Sequence, residues 1–138
     1  MSETVMSELI CSQVFSRLFA RLDRFDLEGV TKCFARNGVW HRQGAALDSH
    51  PVMLKALQAR PAHLFVQHIL HQVACEHVDE THIKAVAYMT VYRKDPPEKI
   101  TPPLPTQVPD MVINWDVEFV LEEGAWLISR LGNVPLYR

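Results

Sequence analysis

The stretch FVQHILHQ, residues 65–72, sets His68 and His71 among bulky and β-branched apolar residues. The ordinary pKa of histidine lies nearest neutrality, so an imidazole held in an apolar interior is a candidate proton donor or acceptor. A carboxylate in a comparably apolar position occurs at Asp23. It follows Phe19 by four residues and Phe15 by eight, which places it on or beside the apolar face of a helix. A carboxylate there is costly unless paired, and near a helix C-terminus the macrodipole disfavours it. A plainer reading stands beside this one: His68 as a core histidine satisfied by a backbone carbonyl, and Asp23 as a cap or a partner of Arg21 or Arg24. Asp26 reads as a cap rather than a catalyst. His71 points to the opposite face from His68 in a regular strand. The seven histidines also raise a metal reading through His63, His68, His71 and Cys75. His68 and His71 diverge along a strand, however, and no H-E-x-x-H or helical pair is present, so neither a metal nor another cofactor is expected.

The elements that must position these groups fall into two halves. Ile10, Val14, Leu18 and Leu22 recur at i+4 with Phe15 and Phe19 beside them, which predicts a helix from about Ser7 to Leu22. Asp26 caps a second, LEGVTKCFA, that RNG ends. GVWHR, residues 38–42, reads as a short strand, and DSHPVMLKALQAR as a third helix capped by Ser49 or Asp48 with Pro51 in its first turn. From there the period becomes two. Strands are expected over 63–78, 82–93, 111–121 and 125–131, with DET and EEG as turns. The segment 94–110 holds six of the nine prolines and no glycine. It lacks the amides of an inner strand and reads as a stiff, partly extended connection.

Composition narrows the function classes. The 138 residues fit a single domain spanning 1–138. A formal charge of −2 with no basic stripe argues against nucleic acid. No apolar run approaches membrane-spanning length, and the acidic MSETVMSELI lacks a basic leader region, so a cytoplasmic setting is the expectation. Cys11, Cys33 and Cys75 are odd in number and widely spaced, which suggests small buried residues rather than disulfides.

Helices followed by antiparallel strands describe an α+β domain. Through RLDRFDLEGVTKCFARNGVW, QHIL and EEGAWLISR, the chain resembles the nuclear transport factor two-like superfamily, and within it the SnoaL-like (polyketide cyclase) and scytalone dehydratase-like branch. The resemblance implies a cystatin-like cone: a curved antiparallel sheet with the N-terminal helices over its concave face. It implies that Asp23 pairs with His68 inside a cavity, as a catalytic acid–base pair. The branch's second histidine falls on Met89 and its tyrosines on Leu22 and His41, so scytalone dehydratase activity itself is not implied. Other candidates for contacting substrate are His41, Met89, Asn114 and Asp116, with Trp40, Tyr88 and Trp115 as ring-stacking walls. The expected function is a cofactor-independent lyase or isomerase acting by proton transfer on a hydrophobic small molecule. The alternative is a non-catalytic ligand-binding protein, or an assembly partner comparable to the β subunits of aromatic-ring dioxygenases. Strands 63–78 and 82–93 are apolar on both parities, which predicts a homodimer through the exposed sheet face.

Overall fold

The structure, a computed structural model, describes residues 2–138. Ser2 opens helix α1 (Glu3–Asp23), its hydroxyl accepting from the Val5 amide at 3.2 Å. The predicted stripe is buried except at its first residue: Val14, Phe15, Leu18, Phe19 and Leu22 face the core together with Cys11, while Ile10, a turn nearer the N-terminus, is exposed. The chain then reverses through Phe25, which has a positive φ of 60°. Asp26 caps α2 (Leu27–Thr31) as expected, its carboxylate accepting from the Gly29 amide at 3.1 Å. That helix is shorter than predicted, because Phe34 already belongs to β1 (Phe34–Arg42). Gly38 is required there: a Cβ would lie 2.7 Å from the Ile128 carbonyl oxygen of the neighbouring strand.

Gln43 and Gly44, with φ of 52° and 80°, turn β1 back into a short β2 (Ala45–Leu47) that sequence reasoning did not anticipate. Helix α3 (His50–Gln58) starts at Ser49, whose hydroxyl accepts from the Val52 amide at 3.3 Å. Four long strands follow: β3 (Phe65–Val78), β4 (His82–Lys94), β5 (Met111–Glu122) and β6 (Ala125–Tyr137). Strand β6 extends six residues beyond its predicted end. Residues 95–110 form no helix or strand, as the prolines required, and are tied down by Asp110. Its carboxylate accepts from the Arg93 amide at 2.7 Å, and its own amide donates to the Val91 carbonyl at 2.8 Å.

The six strands form one sheet in the order β2-β1-β6-β5-β4-β3. Here the expected architecture needs correction. β1 runs parallel to β6, so the sheet is mixed rather than wholly antiparallel. It is also open, with β2 and β3 as unjoined edges, and is not closed or strongly curled into a cone. The α+β class and the N-terminal helices stand. Helix α1 packs against β3 and β6, and α3 against β1 and β2. The helix-facing parity supplies Ile83, Ala85, Ala87, Met89 and Val91 from β4, and Ile113, Trp115, Val117 and Phe119 from β5. Among the described residues no helix is long and apolar enough to cross a membrane.

Candidate active site

Even-numbered residues turn inward at the start of β3: Leu64, just before the strand, and Val66 are buried and His68 is largely so. The register to β4 then shifts between Leu70 and Val73, leaving His71 outside, 3.3 Å from the Thr90 hydroxyl. Opposite His68, the last turn of α1 delivers Asp23. One carboxylate oxygen of Asp23 hydrogen-bonds Nδ1 of His68, and the other accepts from the His68 amide at 2.8 Å. The two side chains are only 11% and 10% exposed. Both oxygens of Asp23 face donors on one residue, so the imidazole is fixed with its proton on Nδ1. Nε2 is left as the ring nitrogen able to meet a ligand. No ion pair of this kind arises at Asp26, which remains a cap.

His68 lies in the wall of a cavity of about 280 Å³ between the helices and the sheet. Phe19, Leu22, Trp40, Val66, Ile113 and Trp115 supply most of its apolar lining. The Phe19 ring sits 4.9 Å from the His68 ring and 5.1 Å from that of Trp115. The Trp115 indole N–H donates to the Met89 sulfur at 3.2 Å, which orients the ring. The Trp40 indole N–H is buried without a partner. Arg42, Arg60, Arg93 and Arg138 stand on the same lining. Burial pulls the Arg60 guanidinium down to about 10; Arg42 adds to this, Asp23 opposes it, and Arg93 again lowers it. Burial and then Arg93 also lower Arg42.

The sequence candidates therefore divide. Asp23, His68, Trp40 and Trp115 meet at or around the cavity, and Met89 lies behind it, fully buried beneath Trp115. The other four lie elsewhere. Asn114 and Asp116 occupy the opposite parity of β5, and Tyr88, paired with Asn114, is 52% exposed on the outer face. His41 is exposed and borders a separate outer groove with Asp116. Arg42, Arg60 and Arg93 were missed. For two of them the signal was parity: Arg42 follows Trp40 by two on β1, and Arg93 follows Met89 and Val91 on β4. Among the described residues, no group of three or more His, Cys, Asp or Glu is placed to hold a metal ion.

The SnoaL-like domain family model matches residues 3–132. The chain belongs to the SnoaL-like family. No curated protein matches it. Among solved structures, a protein of unknown function with a cystatin-like fold from Nostoc punctiforme is similar, with a TM-score of 0.78 and 13% identity over 98% of this chain and 95% of that one. A putative aromatic ring hydroxylase from Novosphingobium aromaticivorans gives 0.76 and 14% over 97% and 92%. The hexachlorocyclohexane dehydrochlorinase LinA-type3 from Novosphingobium barchaimii gives 0.74 and 11% over 96% and 88%. At such identities these three share a fold with this SnoaL-like chain, and nothing further follows from them directly.

Proposed function

We propose that this SnoaL-like chain is a cofactor-independent lyase or isomerase acting on a hydrophobic small molecule such as a cyclic ketone, with His68 as the proton-transfer group and Asp23 as its positioning residue. One observation carries the reading: Nδ1 of His68 is tied to Asp23 while the ring lines a cavity whose wall beside it is aromatic. In this arrangement the Nε2 lone pair takes a proton from a carbon next to a carbonyl or a leaving group. The C–H electrons then pass to the carbonyl oxygen as an enolate, or form a double bond as the leaving group departs with its own pair. Asp23 stabilises the imidazolium that results. With Met89 where the branch has a second histidine, the same imidazolium must return the proton, to another carbon in an isomerase or to the leaving group in a lyase. The dehydrochlorinase among the similar structures bears a name that describes an elimination of this type.

Deuterium exchange tests this without knowledge of the natural substrate. The protein is incubated in heavy water with a panel of cyclic ketones, and label at the α-carbon is followed by mass spectrometry. Wild type should catalyse incorporation, and His68→Gln should lose ~10²-fold or more of it. Equal rates in the two proteins would refute the assignment. Ligand binding with no exchange by wild type would favour the non-catalytic alternative.

A further inference from the structure

We infer that the cavity takes a ligand with an apolar body and an oxyanion, in the first place a carboxylate, held by Arg42, Arg60 and Arg93. The inference rests on reading this hollow as a ligand site.

Three guanidiniums converge where two hollows meet: all three line the main cavity and also an adjoining one of about 150 Å³. Among the described residues none of the three forms an ion pair, whereas Arg36 and Arg130 on the surface each lie beside a glutamate. Their contacts within the protein are with uncharged groups. Arg42 lies 5.6 Å over the Trp40 ring and Arg60 5.2 Å over the Phe25 ring. Nη1 of Arg60 donates to the Leu22 carbonyl at 3.3 Å, and its Nε is buried without a partner. The Arg93 backbone amide, not its side chain, holds Asp110. The carboxylate acting on Arg60 from nearby is Asp23, and both its oxygens are committed to His68.

Like charges brought together and partly desolvated oppose folding unless an anion compensates them. The lowered proton affinities of Arg42 and Arg60 have that repulsion among their causes. A guanidinium fork fits a planar carboxylate with two parallel hydrogen bonds, and several such donors leave few of its lone pairs unmet. The buried Trp40 indole N–H adds a further unmet donor on the same lining. Beside Gln43, His68, Asn133 and Arg138, the rest of the wall is aromatic and aliphatic, with Phe19, Leu22, Trp40, Val66, Ile113 and Trp115 among its residues, so the complementary molecule is an organic acid rather than a free inorganic ion. Bound this way, the acid would have its hydrocarbon portion beside Phe19, Trp115 and Nε2 of His68.

The test uses the full chain and two probes of equal shape, 2-naphthoate and 2-naphthamide, with binding followed by quenching of tryptophan fluorescence. Naphthoate should bind at least roughly tenfold more tightly, and the advantage should shrink as salt is raised. Arg93→Gln and Arg60→Gln should each erase most of the preference. Arg93 stands at an exposed strand end, so its variant keeps the test valid if the Arg60 variant unfolds. His68→Gln, which changes an uncharged part of the lining, should still prefer naphthoate to naphthamide, whatever its affinity for either. The anion site thus stands or falls separately from catalysis: preference without deuterium exchange sinks only the enzymatic reading. Equal affinities for the two probes, a preference that survives in Arg93→Gln, or no binding of either probe at millimolar concentration would overturn the inference. Inorganic phosphate displacing naphthoate at equal concentration would overturn the organic-acid assignment.

Discussion

Exchanging Asp23 for asparagine keeps the shape of the side chain and inverts one of its two hydrogen-bonding ends. In the native chain both oxygens accept, one from the His68 amide and one from Nδ1. An asparagine oxygen can still serve the backbone amide, but its NH2 then faces Nδ1, where two donors cannot meet. The imidazole escapes the clash by moving its proton to Nε2 so that Nδ1 accepts. A charge-assisted bond of ~1.5–3 kcal/mol becomes a neutral one of ~1 kcal/mol, so Asp23→Asn should cost about 1–2 kcal/mol. Urea unfolding measures that loss. The chemical consequence is larger, because Nε2 carrying a proton cannot act as a base; a fall of ~10²–10⁴ in any exchange reaction is expected. The ¹⁵N shifts of the His68 ring report the tautomer directly, with no substrate needed. Asp23→Asn should exchange the identities of the two nitrogens relative to wild type. A wild-type ring already protonated on Nε2, or a variant with unchanged ring shifts and unchanged stability, would refute the reasoning.

The remaining predictions concern titration and assembly. Burial pushes the Cys11 thiol up to about 12 from an ordinary 9.0, with Cys75 adding to it, so the folded state holds this proton more tightly than the unfolded chain. Its contribution is full below pH 9 and is lost as pH rises toward 12; Cys11→Ala should flatten the alkaline fall in melting temperature, and an unchanged fall would count against it. Asp79 is drawn down to about 2 by the Thr81 amide first, then the His77 side chain and the His82 amide. Wild type should therefore be more stable than Asp79→Asn above pH 4 and converge with it as pH falls toward 2; a gap independent of pH would refute this. A homodimer through the outer sheet face is proposed on the row Tyr88, Asn114 and Val134, in which Tyr88 is 52% and Val134 54% exposed. Light scattering should give a dimer for wild type and a monomer for Tyr88→Arg, and a wild-type monomer at micromolar concentration would end the idea.

Helix α1 was legible because its burial follows one unbroken i+3/i+4 stripe, and the same stripe exposed Asp23 as an anomaly. Both long hairpin strands were legible from period two. The first half of β1 was not, although 38–42 was, since its register to β6 shifts between Phe34 and Val39 and the irregularity hides the alternation. Phe34 then reads as a last helical residue, although its ring stacks 5.6 Å from Trp40 on the same strand. The end of β6 was obscured by Pro135. A proline is tolerated there because the pairing to β1 stops at Leu131, so that side of β6 has no ladder to break. Parity explains the site. His41, Tyr88, Asn114 and Asp116 carry suitable chemistry, but only the helices' placement decides which face of a strand becomes interior. The arginines sit at element ends, where a cation ordinarily reads as solvated.

The bond from the His68 amide to Asp23 has a meaning apart from proton transfer. β3 is the terminal strand of an open sheet, and an outermost strand offers its unused amides to any passing β-segment. Asp23 occupies one of those amides with a charged group anchored in the helix above, acting as a guard against edge-to-edge association. Substitutions that remove the Asp23 carboxylate altogether, such as Asp23→Ala, should thus uncover this amide, whereas Asp23→Asn should keep it covered. Specific activities of such variants are interpretable only on material shown to be unaggregated.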